Sequence, residues 1–431
     1  MATFETTLRY KNLNDRDLVE NNYELYDSVL IQAHLLAYSK KAVPLLIRDM
    51  AEERSFNYYI DPMISDFRIG TNFRDSDGDV RGWHNRYVEI LGDPLREVLD
   101  ENPNADASLL DDDAVRGICE SLVDYQENFI YDRLREEAGK YEKVSVEPHE
   151  VQPKAVIPWV HKVERIEDIQ TCRQILTHTQ AAATISLKPC IYTTTGFARD
   201  TTNRTQLTKL LGEFEVNECF LVFEELKKYE TSESEYKTVI DLVYDLYQSG
   251  VKPHFYYGDF FANLLSYFGL SGMATASLYD EEFTEKLEYS GGGGLPARYY
   301  LDEVKDFLKV TAAVDIMNRV DAPMCDCGFC EKHFDTWQDL AAREESEDAL
   351  KPILKKHRMA LRWRHGRLIE ENNLEDVLDE LEDDFLNIVQ AYSASPMKSP
   401  SKQLDYLPKW INAVRDREAL AVEELGQLQF V

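Results

Sequence analysis

Cys325, Cys327 and Cys330 stand in the segment MCDCGFCEKHF, a C-x-C-x-x-C arrangement with His333 just behind it and His357 further along. Thiolates spaced this closely on a turn converge on one point, and with one imidazole they supply the donors of a tetrahedral zinc ion. Two histidines can complete the set. His333 would give a compact knuckle, whereas His357 would clip a following helix to the cysteine turn. Three thiolates and an imidazole fill the coordination sphere, so the expected zinc is structural rather than catalytic. The remaining cysteines, Cys119, Cys172, Cys190 and Cys219, lie singly in apolar runs and read as small buried hydrophobes rather than as a disulfide framework.

A second set of candidates is carboxylic. Asp61, Glu224, Glu225 and Asp259 each follow an apolar run that reads as a strand. In a parallel barrel, catalytic groups collect at the C-terminal strand ends. Asp61 leads the set, because a charge placed directly after FNYYI needs a partner or a ligand. His161 and His254 can line the same mouth, although a single histidine in such a setting is more often hydrogen-bonded structure. Tyr256 and Tyr257 are more often core or rim than stacking platforms. The run Asp75-Ser76-Asp77-Gly78-Asp79 has the look of a calcium loop, but Arg86 occupies the place of the closing glutamate, so a turn explains it better.

The elements that must position these residues alternate. Short β-branched and aromatic blocks at 28–35, 56–61, 155–160, 188–195, 218–225, 252–258 and 272–279 read as strands. Between them lie amphipathic stretches such as VERIEDIQTCRQILTH and SEYKTVIDLVYDLYQSG, the second closing at Gly250 with Pro253 soon after. Strand–helix alternation with continuously apolar strands predicts an α/β fold, a TIM-type (β/α)8 barrel over 1–324. A helical insertion is expected near 100–147, a zinc-binding subdomain over 325–365 and a helical C-terminal region over 366–431. SGGGGLP at 290–296 reads as a loop, without the spacing of a phosphate cradle.

Composition bounds the function. The 431 residues are 44% hydrophobic, too apolar for a solvated coil, and no apolar run is long enough for a membrane span. The start carries no recognisable secretory signal, and the chain reads as cytoplasmic. A formal charge of −31 argues against indiscriminate nucleic-acid binding. One basic stripe runs against that balance: Lys351, Lys355, Lys356, Arg358, Arg362, Arg364 and Arg367, the one place where a phosphate backbone would be welcome.

The cysteine spacing followed by a distant histidine resembles the zinc subdomain of the tRNA-guanine transglycosylase family, in which the metal site is inserted near the end of a TIM barrel. The resemblance favours His357 as fourth ligand. HFYYGDFFANLLSYFGLSGMATAS looks like that family's late-barrel segment, with Gly258, Leu264, Leu265 and Gly272 in frame, and IDPMISDF is similar to an early segment that would make Asp61 a catalytic aspartate. There are departures. Ser277 stands where the family has its nucleophilic aspartate, Phe220-Leu221-Val222-Phe223 replaces glycines of the base pocket, and Tyr192–Phe197 offers no base-reading aspartate.

The resemblance implies a transglycosylase-like protein acting on a guanine or 7-deazaguanine base in tRNA or DNA. Asp61 would be base or nucleophile, with Asp259 or Asp280 as second carboxylate, and Glu224, Glu225 and Tyr256 would contact the substrate. The helix after His357 would touch phosphates. The alternative is a catalytically inactive subunit of the same fold, homo- or hetero-oligomeric, that binds nucleic acid or a partner protein. A third reading is an unrelated barrel hydrolase using the same carboxylates.

Overall fold

A computed structural model describes residues 4–138, 147–224, 226–278, 281–285, 297–343, 347–393 and 404–422. Eight parallel strands run in chain order around a barrel: β1 (Glu5–Tyr10), β2 (Ser28–Gln32), β3 (Tyr58–Asp61), β4 (Lys162–Val163), β5 (Cys190–Thr193), β6 (Glu218–Phe223), β7 (Lys252–Phe255) and β8 (Gly272–Thr275). β1 pairs with both β2 and β8. The seam between β3 and β4 is bridged by the approach to β4. There Lys154 N donates to the Tyr58 carbonyl at 2.8 Å and Val156 pairs in parallel with Leu187.

Period-two alternation explains why the strands are apolar on both faces. In β6, Phe220 and Val222 point into the barrel, where they meet Leu30, Tyr59, Ile157, Tyr192 and Ala274. Cys219, Leu221 and Phe223 point outward into the helical layer. β1 is different. Leu8 and Tyr10 face the helices, but Thr7 and Arg9 face inward, so a barrel strand passes as a polar segment. Gly272 opens β8 because a Cβ there would lie 2.4 Å from the Glu5 carbonyl oxygen. Only a residue without a side chain lets the two strands close the ring.

Helices fill the connection between β3 and β4 from well before residue 100, including Gly82–Leu91, Asp93–Glu101 and the long Asp112–Ala138. The long helix is tied to the barrel by Gln126, whose side-chain amide accepts from Ile157 N and donates to Ile157 O, both at 2.9 Å. After β8 comes an antiparallel hairpin, β9 (Arg298–Leu301) with β10 (Asp306–Lys309). The helices that follow include Gly328–Glu331, Glu347–Glu371, Leu374–Ser393 and Tyr406–Arg415.

Candidate functional site

Cys327 caps the short helix Gly328–Glu331: its sulfur accepts from Cys330 N at 3.4 Å, while Cys325 Sγ accepts from Cys327 N at 3.5 Å. These turns aim three sulfurs at one point. His357 arrives from the middle of helix Glu347–Glu371, not from its beginning, and its Nδ1 lies 3.7, 3.3 and 3.3 Å from the sulfurs of Cys325, Cys327 and Cys330. All four donor atoms fall within 4.8 Å of one another. The other ring nitrogen, Nε2, lies 2.9 Å from the Tyr300 carbonyl oxygen, which fixes the tautomer and leaves Nδ1 as the lone-pair donor. Tyr299 stacks on the imidazole at 4.4 Å. The set is that of a tetrahedral, thiophilic cation and is compatible with zinc. His333 is not part of it.

At the C-terminal ends of the strands lies a cavity of about 310 Å³, bounded by Arg9 from β1, Gln32 from β2, Asp61 from β3, Tyr192 from β5, Val222 from β6 and, just past β7, Tyr256. Asp61 is 5% exposed. Burial raises its carboxyl above the usual range, against the opposing pull of the Tyr256 phenol, the Met63 N–H at 2.9 Å and Arg9. Met63 holds φ at 52°, a left-handed conformation uncommon for a side chain of its size, and that bend turns its N–H back onto the carboxylate. Burial, with Arg9 nearby, lowers Lys11 to about 7. His34, packed on Trp83 at 4.8 Å, is lowered by burial to about 3 and is therefore neutral. Arg9 lies 3.8 Å over the Tyr257 ring, and Tyr192 and Tyr257 meet Phe283 edge-on at 4.9 and 5.3 Å. The cavity thus joins a buried carboxylate, an amine poised near neutrality and aromatic walls, the ingredients for holding a ring and moving a proton.

Of the residues expected at the site, Asp61 and Tyr256 line this cavity. Glu224 stands at its edge in a side cavity of about 480 Å³, where, despite partial burial, its pairing with Lys162 keeps its carboxyl low. Glu225 and Asp280 lie outside the described residues. Asp259 is not a wall of the mouth. It caps helix Phe260–Leu264 by accepting from Phe261 N at 3.0 Å and faces a buried ionic cluster that contains Lys228, Glu281 and Arg362.

Ser277 is buried and donates to Asp15 at 2.8 Å, a carboxylate also held by Lys355 at 2.7 Å. Phe220 sits inside the barrel and Phe223 outside it, and neither lines the mouth cavity. His161 lies buried between Asp106 and Asp168, 3.8 Å from each. Asp75 accepts from Asp77 N and Asp79 N, as a turn should.

The basic stripe requires a correction as a phosphate-facing surface. Arg358 and Arg362 are fully buried on Glu281; Lys356 meets Asp17, Arg364 meets Asp326 and Arg367 meets Glu370. Arg9, Lys11, Gln32, His34 and Trp83 are site residues that the apolar-run criterion passed over. The available signal was the alternation in TTLRYK, with Thr7, Arg9 and Lys11 on one face.

Burial pushes Asp259 up to about 6, with Lys228 opposing. A raised carboxyl binds its proton more tightly in the folded than in the unfolded chain, so its contribution to stability falls as pH rises from about 4 through 6. Relative to Asp259→Asn, the wild type is expected to lose about 2 kcal/mol across that window, measured by urea denaturation at fixed pH values. Parallel pH curves for the two proteins would refute this.

Among the described residues no helix is long and apolar enough to cross a membrane. No family model matches the chain, and no curated protein matches it. Among solved structures it is similar to a putative fructose-1,6-biphosphate aldolase from Coccidioides immitis, with TM-score 0.31 and 9% identity over 82% of this chain and 90% of that one. Xylanase B from Clostridium stercorarium F9 has TM-score 0.28 and 9% identity over 64% of this chain and 86% of that one. The strand order and pairing make the chain itself an α/β barrel of TIM type carrying a Cys3His cluster.

Proposed function

We propose that this chain is a transglycosylase-like protein of the cytoplasm whose barrel mouth takes a guanine or 7-deazaguanine base of tRNA or DNA. Cys325, Cys327, Cys330 and His357 would hold a structural zinc ion, which supplies a rigid joint and no chemistry. The observation that carries the reading is the mouth cavity: about 310 Å³, within the range of small-molecule sites, with aromatic walls and the buried Asp61 at its edge. Aromatic faces suit a flat heterocycle removed from its stack. Asp61 would accept a hydrogen bond or a proton from the ring or act at the sugar, and Lys11, poised near neutrality, would return a proton. With Arg358 and Arg362 buried, the stripe would offer a phosphate only its surface members, such as Arg364 and Arg367, each of which already meets a carboxylate.

A second reading keeps the binding and drops the exchange, as in an inactive subunit of a hetero-oligomer. It is favoured by Ser277, which is committed to Asp15, and by Asp259, which faces its own ionic cluster. Two measurements separate the readings: nucleoside mass spectrometry of tRNA and DNA from cells with and without the protein, and equilibrium dialysis of the purified chain with guanine and 7-deazaguanine. Altered 7-deazaguanine content is the expected result, with the rate of exchange reduced by about 100-fold in Asp61→Asn. Base binding with unchanged nucleosides selects the inactive subunit. No binding and no change would overturn both readings.

A further inference from the structure

At the end of the barrel opposite the mouth, Glu5 opens β1, Glu218 opens β6 and His254 lies in β7. We propose that these three side chains form a second divalent-cation site, separate from the cysteine cluster and of the imidazole–carboxylate class that accepts Mn2+, Fe2+, Co2+ or Zn2+. One donor atom from each lies within 4.8 Å of the others. His254 meets the carboxylates through different ring nitrogens, Nε2 3.8 Å from Glu218 Oε2 and Nδ1 4.0 Å from Glu5 Oε2, and a single ion would take one of the two. Metal bonds of about 2.1 Å set neighbouring ligand atoms about 3.0–3.4 Å apart, so the two carboxylates would close in by roughly an ångström on an ion.

His254 is what points to a ligand. It is 2% exposed, and neither ring nitrogen makes a hydrogen bond among the described residues. A buried polar ring without a hydrogen-bond partner is the exception that calls for an explanation. Glu5 is already oriented: Ser28 Oγ donates to its Oε1 at 2.7 Å, which leaves Oε2 for the interior. A cavity of about 360 Å³ on this face, lined by Lys154, Lys188, Asn217 and Glu218, gives a route in.

Two ammonium groups now serve these carboxylates. Lys188 Nζ is 3.1 Å from Glu218, and Lys154 Nζ is 3.5 Å from Glu5 and 3.8 Å from Glu218. Their presence shows that the position favours positive charge, and both can yield to a metal. Lys154 is more than a third exposed and can turn to solvent. Lys188 is 1% exposed under the Tyr59 and Phe220 rings, and it lines the same cavity, into which its side chain can be drawn back. The remaining cation that bears on His254 is Lys252, at the exposed start of β7. A divalent ion would then take the place of the two ammonium charges beside the two carboxylates, and the charge balance is kept. Such a site would pin β1, β6 and β7 at the barrel face opposite the mouth, where side chains serve stability.

The test is titration of the full chain, as purified, with Mn2+, a cation that has little affinity for thiolates, free Mn2+ being followed by electron paramagnetic resonance. One Mn2+ per chain is expected, together with a rise in Tm. Affinity should fall by about tenfold or more in Glu218→Gln and His254→Gln, and rise by about tenfold in Lys188→Met, which removes the competing ammonium. Glu218 is partly exposed, so its variant remains informative if the His254 variant fails to fold. No bound Mn2+ at millimolar concentration overturns the site, as does binding that Glu218→Gln leaves unchanged. Binding that weakens in Glu218→Gln but does not tighten in Lys188→Met overturns the exchange with lysine.

Discussion

His357→Ala is expected to lose one equivalent of zinc per chain and to unfold the C-terminal helices, while His333→Ala keeps both metal and fold. The asymmetry follows from position. His357 is fully buried in the middle of helix Glu347–Glu371, with its Nδ1 among three sulfurs and its Nε2 against the Tyr300 carbonyl of β9. Binding free energies of structural zinc sites are on the order of 10 kcal/mol at neutral pH and double as folding free energy. That is comparable to the whole stability of an ordinary domain, about 5–15 kcal/mol. Cys330→Ser should behave like His357→Ala, since Cys330 is fully buried on the same point. Metal analysis of the purified variants and thermal unfolding followed by circular dichroism check both halves of the expectation. Full metal retention in His357→Ala would remove it from the ligand set.

The cysteine cluster was legible because three thiolates at fixed, short spacing admit few arrangements, whereas the choice of histidine was not. Spacing left His333 and His357 both open. In the structure a carbonyl and a ring from the hairpin, Tyr300 and Tyr299, seat His357, and no local pattern announces contacts of that kind. The barrel was legible from strands whose two faces are both apolar. β1 was not, because its inward face holds Glu5, Thr7 and Arg9, and those polar residues are what bring chemistry to the two ends of the barrel. Asp61 stood out as a charge ending an apolar run; Gln32 and His34, at the end of an equally apolar strand, carried no charge to mark them. The basic stripe was visible as charge, but its partners Asp15, Asp17, Glu281 and Asp326 are far away in sequence, so its neutralisation was invisible.

Glu281→Gln is expected to destabilise the protein by about 3–5 kcal/mol, far more than loss of the exposed Arg364–Asp326 pair, worth about 0–1 kcal/mol. Arg358, Arg362 and Lys228, all buried, converge on Glu281, and Lys228 also meets Asp306 at 3.0 Å. Three cations there stand against the carboxylates of Glu281, Asp306 and Asp259. Neutralising Glu281 leaves a buried cation uncompensated, which costs more than the pair itself contributes. The same logic predicts partial recovery when a cation is removed as well: Glu281→Gln with Arg362→Met should be more stable than Glu281→Gln alone, a coupling that urea denaturation of the four proteins of the cycle measures. The effect should also reach the mouth. Glu281 lies two residues before Phe283, whose ring meets Tyr192 and Tyr257, and the arginines that hold it stand on the helix that carries His357. A ligand of the mouth should therefore bind more weakly to Glu281→Gln even where the variant is fully folded. Unchanged ligand affinity in the folded variant would show that the aromatic wall stands without the ionic cluster behind it.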